Sequence, residues 1–222
     1  MRRFRNRTEA GQQLARRLRG YASHDDVVVL ALPRGGVPVA YEVAKELGVP
    51  LGVFTVRKLG VPGHEELAMG ALASGGVLLL DDRLVRALGI DEALLRRAVA
   101  AEVRELERRE AAYRDNDPPE LAGKTVILVD DGLATGATMR VAAEAVRKLD
   151  PARIVVAVPV AARETCEQFR DVVEEVVCAV TPRPFHAVGL WYDDFRQTTD
   201  EEVRDFLARA ASHRSSERAE AT

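Results

Sequence analysis

Residues 125–138 read Thr125-Val126-Ile127-Leu128-Val129-Asp130-Asp131-Gly132-Leu133-Ala134-Thr135-Gly136-Ala137-Thr138. An unbroken apolar run ends in two adjacent carboxylates, a loop of small residues follows, and then a helix start. Continuous apolar character marks a strand buried on both faces. The order sets acids and a nest of backbone N–H groups at one end of that strand. A sugar bearing a phosphate needs both. Ionised carboxylates accept strong hydrogen bonds from vicinal hydroxyls, while the unpaired N–H groups and dipole of a helix start favour a phosphate. Thr135 and Thr138 add hydroxyl donors. The loop is not a Walker A loop, which needs Lys and then Ser or Thr after its second glycine; Ala137 follows Gly136 here. Nor is it a dinucleotide fingerprint, because the glycine spacing differs and the carboxylates precede the loop.

The segment closely resembles the 5-phosphoribosyl 1-pyrophosphate (PRPP) motif of the type I phosphoribosyltransferases: four apolar residues, two acids, a short spacer, then Thr-Gly-small-Thr. The resemblance implies that Asp130 and Asp131 face the ribose 2- and 3-hydroxyls, with Asp131 also counted among the catalytic residues. It further implies that Ala134, Thr135, Gly136, Ala137 and Thr138 wrap the 5-phosphate. Several members carry a third Asp just before the first Thr, the proton acceptor of the 6-oxopurine enzymes. Ala134 stands there, which departs from the hypoxanthine–guanine branch and agrees with the adenine branch.

Working outward, Pro33-Arg34-Gly35-Gly36-Val37-Pro38 directly follows an apolar run, Val27 to Leu32. Two glycines between strand and helix let the backbone approach a ligand, and an arginine can pair with a phosphate through two parallel bonds. The place matches the family's pyrophosphate loop, which often contains a non-proline cis bond. There Arg34, or the N–H groups of Gly35 and Gly36, would hold the departing pyrophosphate. Arg57-Lys58 closes a second strand, Leu51 to Val56, and looks like the basic pair of the adenine and related enzymes, facing the pyrophosphate.

Residues 58–70 hold three glycines and a proline without periodicity and read as a mobile loop. By position this is the family's catalytic flexible loop. Loss of pyrophosphate from C1 builds positive charge on the ribose ring, and loop closure would exclude water. Lys58 is then a catalytic candidate. Glu65 is the first choice for the base that takes the acceptor's proton, with Glu66 and His64 as competitors. Near the C-terminus, Trp191 and Tyr192 lie beside Asp193 and Asp194; an aromatic pair next to acids suits stacking on a flat heterocycle. The run loosely resembles the part of the purine phosphoribosyltransferases where an aromatic covers the base and an Arg follows, which implies Trp191 or Tyr192 as the cover and Arg196 as a phosphate helper. Mg²⁺ is expected to arrive with PRPP, held by substrate oxygens and water, with no direct protein ligand.

Strands alternate with helices along most of the chain. Helices are expected near 8–21, 37–47, 91–113, 138–148, 163–173 and 200–211, and strands near 77–80, 153–159 and 176–180. The pattern predicts an α/β fold: a single, doubly wound, mostly parallel sheet with helices on both faces, carrying a small hood near 181–200. Strands 27–32 and 125–129 are the natural neighbours at its switch point. One domain is expected over 1–211, with a disordered polar tail over 212–222. The charged outer face of the 91–113 helix reads as solvated.

The chain has 222 residues, 47% hydrophobic and 30% charged, with a net charge of −3. That balance makes no electrostatic case for nucleic acid or an acidic membrane surface. No apolar run approaches the ~18 residues of a membrane span, and no apolar stretch follows the Arg-rich start as a secretory signal requires. A cytoplasmic protein is expected, acting on PRPP and a small nitrogenous base, as a homodimer. Cys166 and Cys178 fall in a helix-like and a strand-like segment and read as buried free thiols. A non-catalytic PRPP or nucleotide sensor on the same fold is the alternative reading.

Overall fold

The computed structural model describes residues 3–113 and 119–220, without the side chains of Glu65 and of 214–220. Helix α1 (Arg7–Arg17) begins where Asn6 Oδ1 accepts from the Glu9 N–H at 3.0 Å, a side-chain N-cap. Next come β1 (Val27–Ala31), α2 (Gly36–Leu47), β2 (Leu51–Val53), β3 (Val56–Val61), β4 (His64–Ala73), β5 (Val77–Leu80), α3 (Asp82–Ala87) and α4 (Glu92–Ala111). The second half runs β6 (Thr125–Val129), α5 (Ala137–Arg147), β7 (Arg153–Val160), α6 (Arg163–Phe169), β8 (Glu175–Val180) and α7 (Asp200–Glu220).

Five strands form one parallel sheet in the order β2-β1-β6-β7-β8. Side chains alternate across it, as strand geometry requires. Val27, Val29 and Ala31 enter a core with α1, α2 and α7, whereas Val28 and Leu30 enter a second core with α5 and Phe169 of α6. Both faces are covered, which explains why these strands read as continuous apolar runs. From β1 the chain turns one way to β2, and from β6 it turns the other way to β7 and β8. The carboxyl ends of β1 and β6, paired from Val27↔Thr125 to Ala31↔Val129, are therefore the topological switch point.

The expected second strand is split. β2 stops at Val53; the Phe54 N–H then donates to Ala31 O and the Thr55 N–H to Ser74 Oγ, and β3 starts a separate sheet. That sheet, antiparallel in the order β3-β4-β5, replaces the mobile loop expected over 58–70. Pro62-Gly63 makes its turn, with Gly63 at φ 82°, a conformation glycine adopts without Cβ strain. Leu59, Val61 and Met69 are buried and pack with Leu84, Val85, Leu95 and Val99. The inner stripe of α4 thus covers the hairpin, and burial of these side chains holds it ordered.

Two further expectations are corrected. The polar segment from Ser212, expected to be disordered, continues α7 to Glu220, having neither glycine nor proline to stop a helix. Cys166 and Cys178 are not free thiols: they form a disulfide between α6 and β8, both residues partly exposed. Seven-residue α6 folds straight back onto β8, which brings the pair to a Cα separation of 6.9 Å. Disulfides are uncommon in a reducing cytoplasm, so the bridge and a cytoplasmic location pull in opposite directions. It closes a loop with a sequence separation of 12, for which chain entropy gives about 3 kcal/mol as an upper figure. Replacing both cysteines with serine is expected to lower stability by up to that amount, read from the shift in denaturant midpoint. An unchanged midpoint would mean that the cross-link constrains nothing.

Among the described residues no helix is long and apolar enough to cross a membrane.

Candidate functional site

Two loops meet at the switch point. The first leaves β1 through a cis peptide bond, Pro33–Arg34, and enters α2 at Gly36. The second carries Asp130 and Asp131 off the end of β6. A Cβ on Gly35 would lie 2.2 Å from Asp131 Oδ2, and one on Gly36 would lie 2.7 Å from Val129 O and 3.0 Å from Asp130 Cα. The loops are in close contact: at Gly36 the clash would be with backbone, so only glycine fits there, whereas at Gly35 it would be with the Asp131 side chain. The structure thus brings together Gly35, Gly36, Asp130 and Asp131.

Both carboxylates are withdrawn from bulk water. Asp130 Oδ1 accepts from the Asp131 N–H at 2.8 Å. Burial, and then the charge of Asp131, lift the Asp130 carboxyl well above the usual carboxylate range. Burial also raises Asp131, opposed by Arg7. The Arg7 Nε donates to Asp131 Oδ2 at 2.9 Å and its Nη2 lies 2.8 Å from the same oxygen. Sequence reasoning missed Arg7, whose partner lies 124 residues away. One signal was available: a cation in the first turn of a helix opposes the helix dipole, so such an arginine asks for a partner.

The phosphate-wrapping stretch lies where expected. Gly136, at φ 76°, precedes α5 and has no side chain to cap it, while the Ala137 N–H reaches Thr135 Oγ1 at 3.5 Å. A Cβ on Gly136 would meet Phe169 Cε2 at 2.5 Å. Leu133 is tied to β7 through its N–H to Val160 O, and Ala134 O accepts from Thr165 Oγ1 at 2.6 Å. Ala134, Thr135, Ala137 and Thr138 are left on the surface. A helix start flanked by surface hydroxyls can hold a phosphate.

The basic candidates are placed otherwise. Arg34 reaches across to the start of α7, where its Nη1 is 3.9 Å from Asp200 Oδ1. Asp200 also accepts from the Tyr113 hydroxyl at 2.7 Å, and burial with that contact pushes the Tyr113 hydroxyl up to about 12. Arg57 shares the β3 face of Leu59 and meets α4, where its Nε donates to Glu102 Oε2 at 2.9 Å. Lys58, on the opposite face, donates to Glu66 O within the hairpin. His64 and Glu66 sit on exposed β4. The side chain of Glu65, the candidate base, lies outside the described residues.

The hood is built from both ends of the chain. Phe4 pairs with Tyr192 as an isolated bridge: the Phe4 N–H donates to Trp191 O and the Asp193 N–H to Phe4 O. Tyr192, expected as a cover for the base, is instead buried. Its ring packs between Phe4 and Phe195, and its hydroxyl donates to the backbone carbonyl of Asp131. Its pKa is raised, by burial first and by Asp131 second. Its task is to hold the acid loop. Trp191 is half-buried beside it. Val188 closes on the motif so tightly that a Cβ on Gly132 would lie 2.4 Å from Val188 Cγ1. Arg196 is exposed and contributes its carbonyl, which accepts from Arg7 Nη1 at 2.8 Å. A separate apolar cavity of about 790 Å³, lined by Leu51, Phe54, Ser74, Tyr113 and Leu149, lies at the β2 edge and takes in none of the candidates.

This geometry has known counterparts. The model of the phosphoribosyl transferase domain matches residues 4–190, so the chain belongs to the phosphoribosyl transferase domain family. Counterparts from two strains of Mycobacterium tuberculosis, which carry the name phosphoribosyl transferase only provisionally, are 46% identical over 211 residues. Those matches cover 95% of this chain and 47% of the relative, so the chain spans about half the length of the curated relatives it matches. A crystal structure of a Thermus thermophilus protein is 44% identical and covers 94% of this chain and 99% of its own, with a TM-score of 0.81.

Proposed function

We propose that this protein transfers ribose 5-phosphate from Mg²⁺-bound PRPP to a nitrogenous base, a purine, and so serves nucleotide salvage. The observation that carries the reading is the packing of the Asp130–Asp131 pair onto Gly35 and Gly36 at the switch point. It gives one crevice hydroxyl acceptors, a glycine loop for pyrophosphate and a helix start for phosphate. In the reaction the C1–oxygen bond to pyrophosphate breaks and a C1–nitrogen bond to the base forms. The proton on the attacking nitrogen passes to a hairpin carboxylate, for which Glu65 and Glu66 are the candidates, or to water. Mg²⁺ bound to the substrate would supply the charge that offsets the leaving pyrophosphate. Trp191 is the remaining candidate to lie against the base. Assembly as a homodimer belongs to the same reading.

Pyrophosphate release from Mg²⁺–PRPP, with adenine, guanine, hypoxanthine, xanthine, uracil and orotate supplied singly, tests it. Release with one purine supports the proposal and identifies the acceptor. The second reading, a PRPP-binding regulator that does not catalyse, is favoured by one observation: Arg57 and Lys58 are both engaged within the hairpin and α4. PRPP binding without release on any base would favour it. Under the transferase reading, Lys58→Ala lowers turnover and leaves binding largely intact.

A further inference from the structure

Arg7 sits where three parts of the site converge. Two of its nitrogens meet Asp131 Oδ2, and a third donates to Arg196 O in the hood. Its guanidinium carbon lies 4.1 Å from the centre of the Phe195 ring, a cation–π distance. A Cβ on Gly35 of the pyrophosphate loop would be 3.4 Å from its Nη2. The side chains of Arg7 and Asp131 are only 11% and 15% exposed, so water and salt screen the pair little.

Its position is fixed by packing and not by helix preference. The N-terminus of a helix disfavours a cation. α1 is pressed onto α2 at Gly11, where a Cβ would lie 2.7 Å from Val39 O. That contact sets the helix so that its first residue points into the crevice. Every donor direction of the planar guanidinium that carries a described bond ends on Asp131 or on the hood.

We infer that Arg7 is a positioning residue of this site, holding Asp131 as an oriented carboxylate for the ribose hydroxyls. The inference rests on the PRPP reading above. The mechanism is electrostatic and geometric. Asp131 lies beside Asp130 and is withdrawn from water, and that burial favours a protonated acid. The titratable and charged groups facing it are Asp130 from the same loop, Arg7 from α1 and Tyr192 from the hood. Tyr192 donates to the backbone carbonyl and leaves the carboxylate to Arg7. Arg7 alone among these supplies positive charge. With Oδ2 held by Arg7, the carboxylate keeps its second oxygen as an acceptor. A protonated Asp131 would offer a weaker acceptor and lose the charge that a ring developing positive charge requires.

The test uses Arg7→Gln and Arg7→Lys, with Mg²⁺–PRPP affinity measured from roughly pH 5.5 to 9 and the Asp131 carboxyl carbon followed by ¹³C NMR. Arg7→Gln is expected to move the Asp131 titration to higher pH. At neutral pH it should weaken PRPP binding about tenfold or more, with affinity regained as pH rises. Arg7→Lys should recover most of both. Binding of inorganic pyrophosphate alone should change little. Equal loss at every pH with an unmoved Asp131 titration would make Arg7 merely structural, and parallel loss of pyrophosphate would make it a direct ligand; either overturns the inference. If Arg7→Gln fails to fold, the wild type still decides. Its Arg7 Nε–H resonance should titrate together with the Asp131 carboxyl, and independent titration overturns the pairing. A wild type that does not bind PRPP removes the transferase reading as well, whereas a wild type that binds beside an unaffected Arg7→Gln removes only the role of Arg7.

Discussion

Asp131→Asn is expected to weaken Mg²⁺–PRPP binding about a hundredfold, and Asp130→Asn by a similar factor, while the unliganded fold of Asp130→Asn becomes more stable. The two effects have one origin. A carboxylate that accepts hydroxyls from a ligand contributes charge-assisted bonds of roughly 1.5–3 kcal/mol each, and losing more than one accounts for the fall in affinity. The same carboxylate, buried beside a second one, is held above its ordinary pKa. The folded protein therefore keeps a proton that the unfolded chain gives up. The contribution of Asp130 to stability is complete below the ordinary carboxylate range and falls as pH rises through that range towards the raised folded value. Asparagine keeps an oxygen for the Asp131 N–H and removes the titrating group, and with it the cost of taking up a proton on folding at neutral pH. Its melting temperature should exceed that of the wild type at neutral pH by a few degrees, on the order of 1 kcal/mol. The gap should close in acid. Thermal melts from roughly pH 4 to 8 with titration calorimetry would test both halves. A variant that binds PRPP as the wild type does would remove the acids from the binding account.

Gly36→Ala carries the second large effect. Gly36 is the first residue of α2, and at an ordinary helical position alanine is favoured over glycine by up to about 1 kcal/mol. Here the added methyl would meet Val129 O at 2.7 Å and Asp130 Cα at 3.0 Å. Those atoms are backbone, held by the Leu32 N–H to Val129 O bond and by the β1–β6 ladder. Nothing at the far end of a flexible side chain can give way, so the two loops must separate. A loss of about 2–3 kcal/mol is expected, the opposite sign to the helix preference. Chemical denaturation gives the stability. Mg²⁺–PRPP affinity should fall with it, because the junction of the two loops is the proposed site. Gly35→Ala differs in kind: its methyl meets the side chain of Asp131, so binding should suffer more than stability. Comparing the two variants separates a backbone clash from displacement of a carboxylate.

Much of this was legible in sequence because it depends on local order. Strand 125–129 was bounded to the residue, since an apolar run that ends in two acids leaves little freedom of assignment. Strand 77–80 followed from its short apolar run, and helix 37–47, which begins one residue earlier at Gly36, from the Gly48 and Pro50 that end it. The switch point followed from alternation of elements, and the glycines of the first loop from their place between strand and helix. What failed depended on contacts distant in sequence. The 58–70 segment looked like a loop because glycine and proline dominate it. It forms a hairpin because α3 and α4 lay Leu84, Val85, Leu95 and Val99 over Leu59, Val61 and Met69. Neighbouring acids suggested that Tyr192 would cover a ligand, yet its hydroxyl holds the carbonyl of Asp131. Arg7 escaped notice because its partner lies 124 residues away in the sequence. Cys166 and Cys178 were read one at a time, although the fold brings them together.

Calorimetric titration of the wild-type chain with Mg²⁺–PRPP, repeated in the presence of pyrophosphate and of ribose 5-phosphate, tests the central claim most directly. The account predicts saturable binding at one site, weakened by each competitor, with affinity that rises with pH as the buried acids ionise. No binding at millimolar PRPP, or binding indifferent to both competitors and to Asp131→Asn, would contradict it.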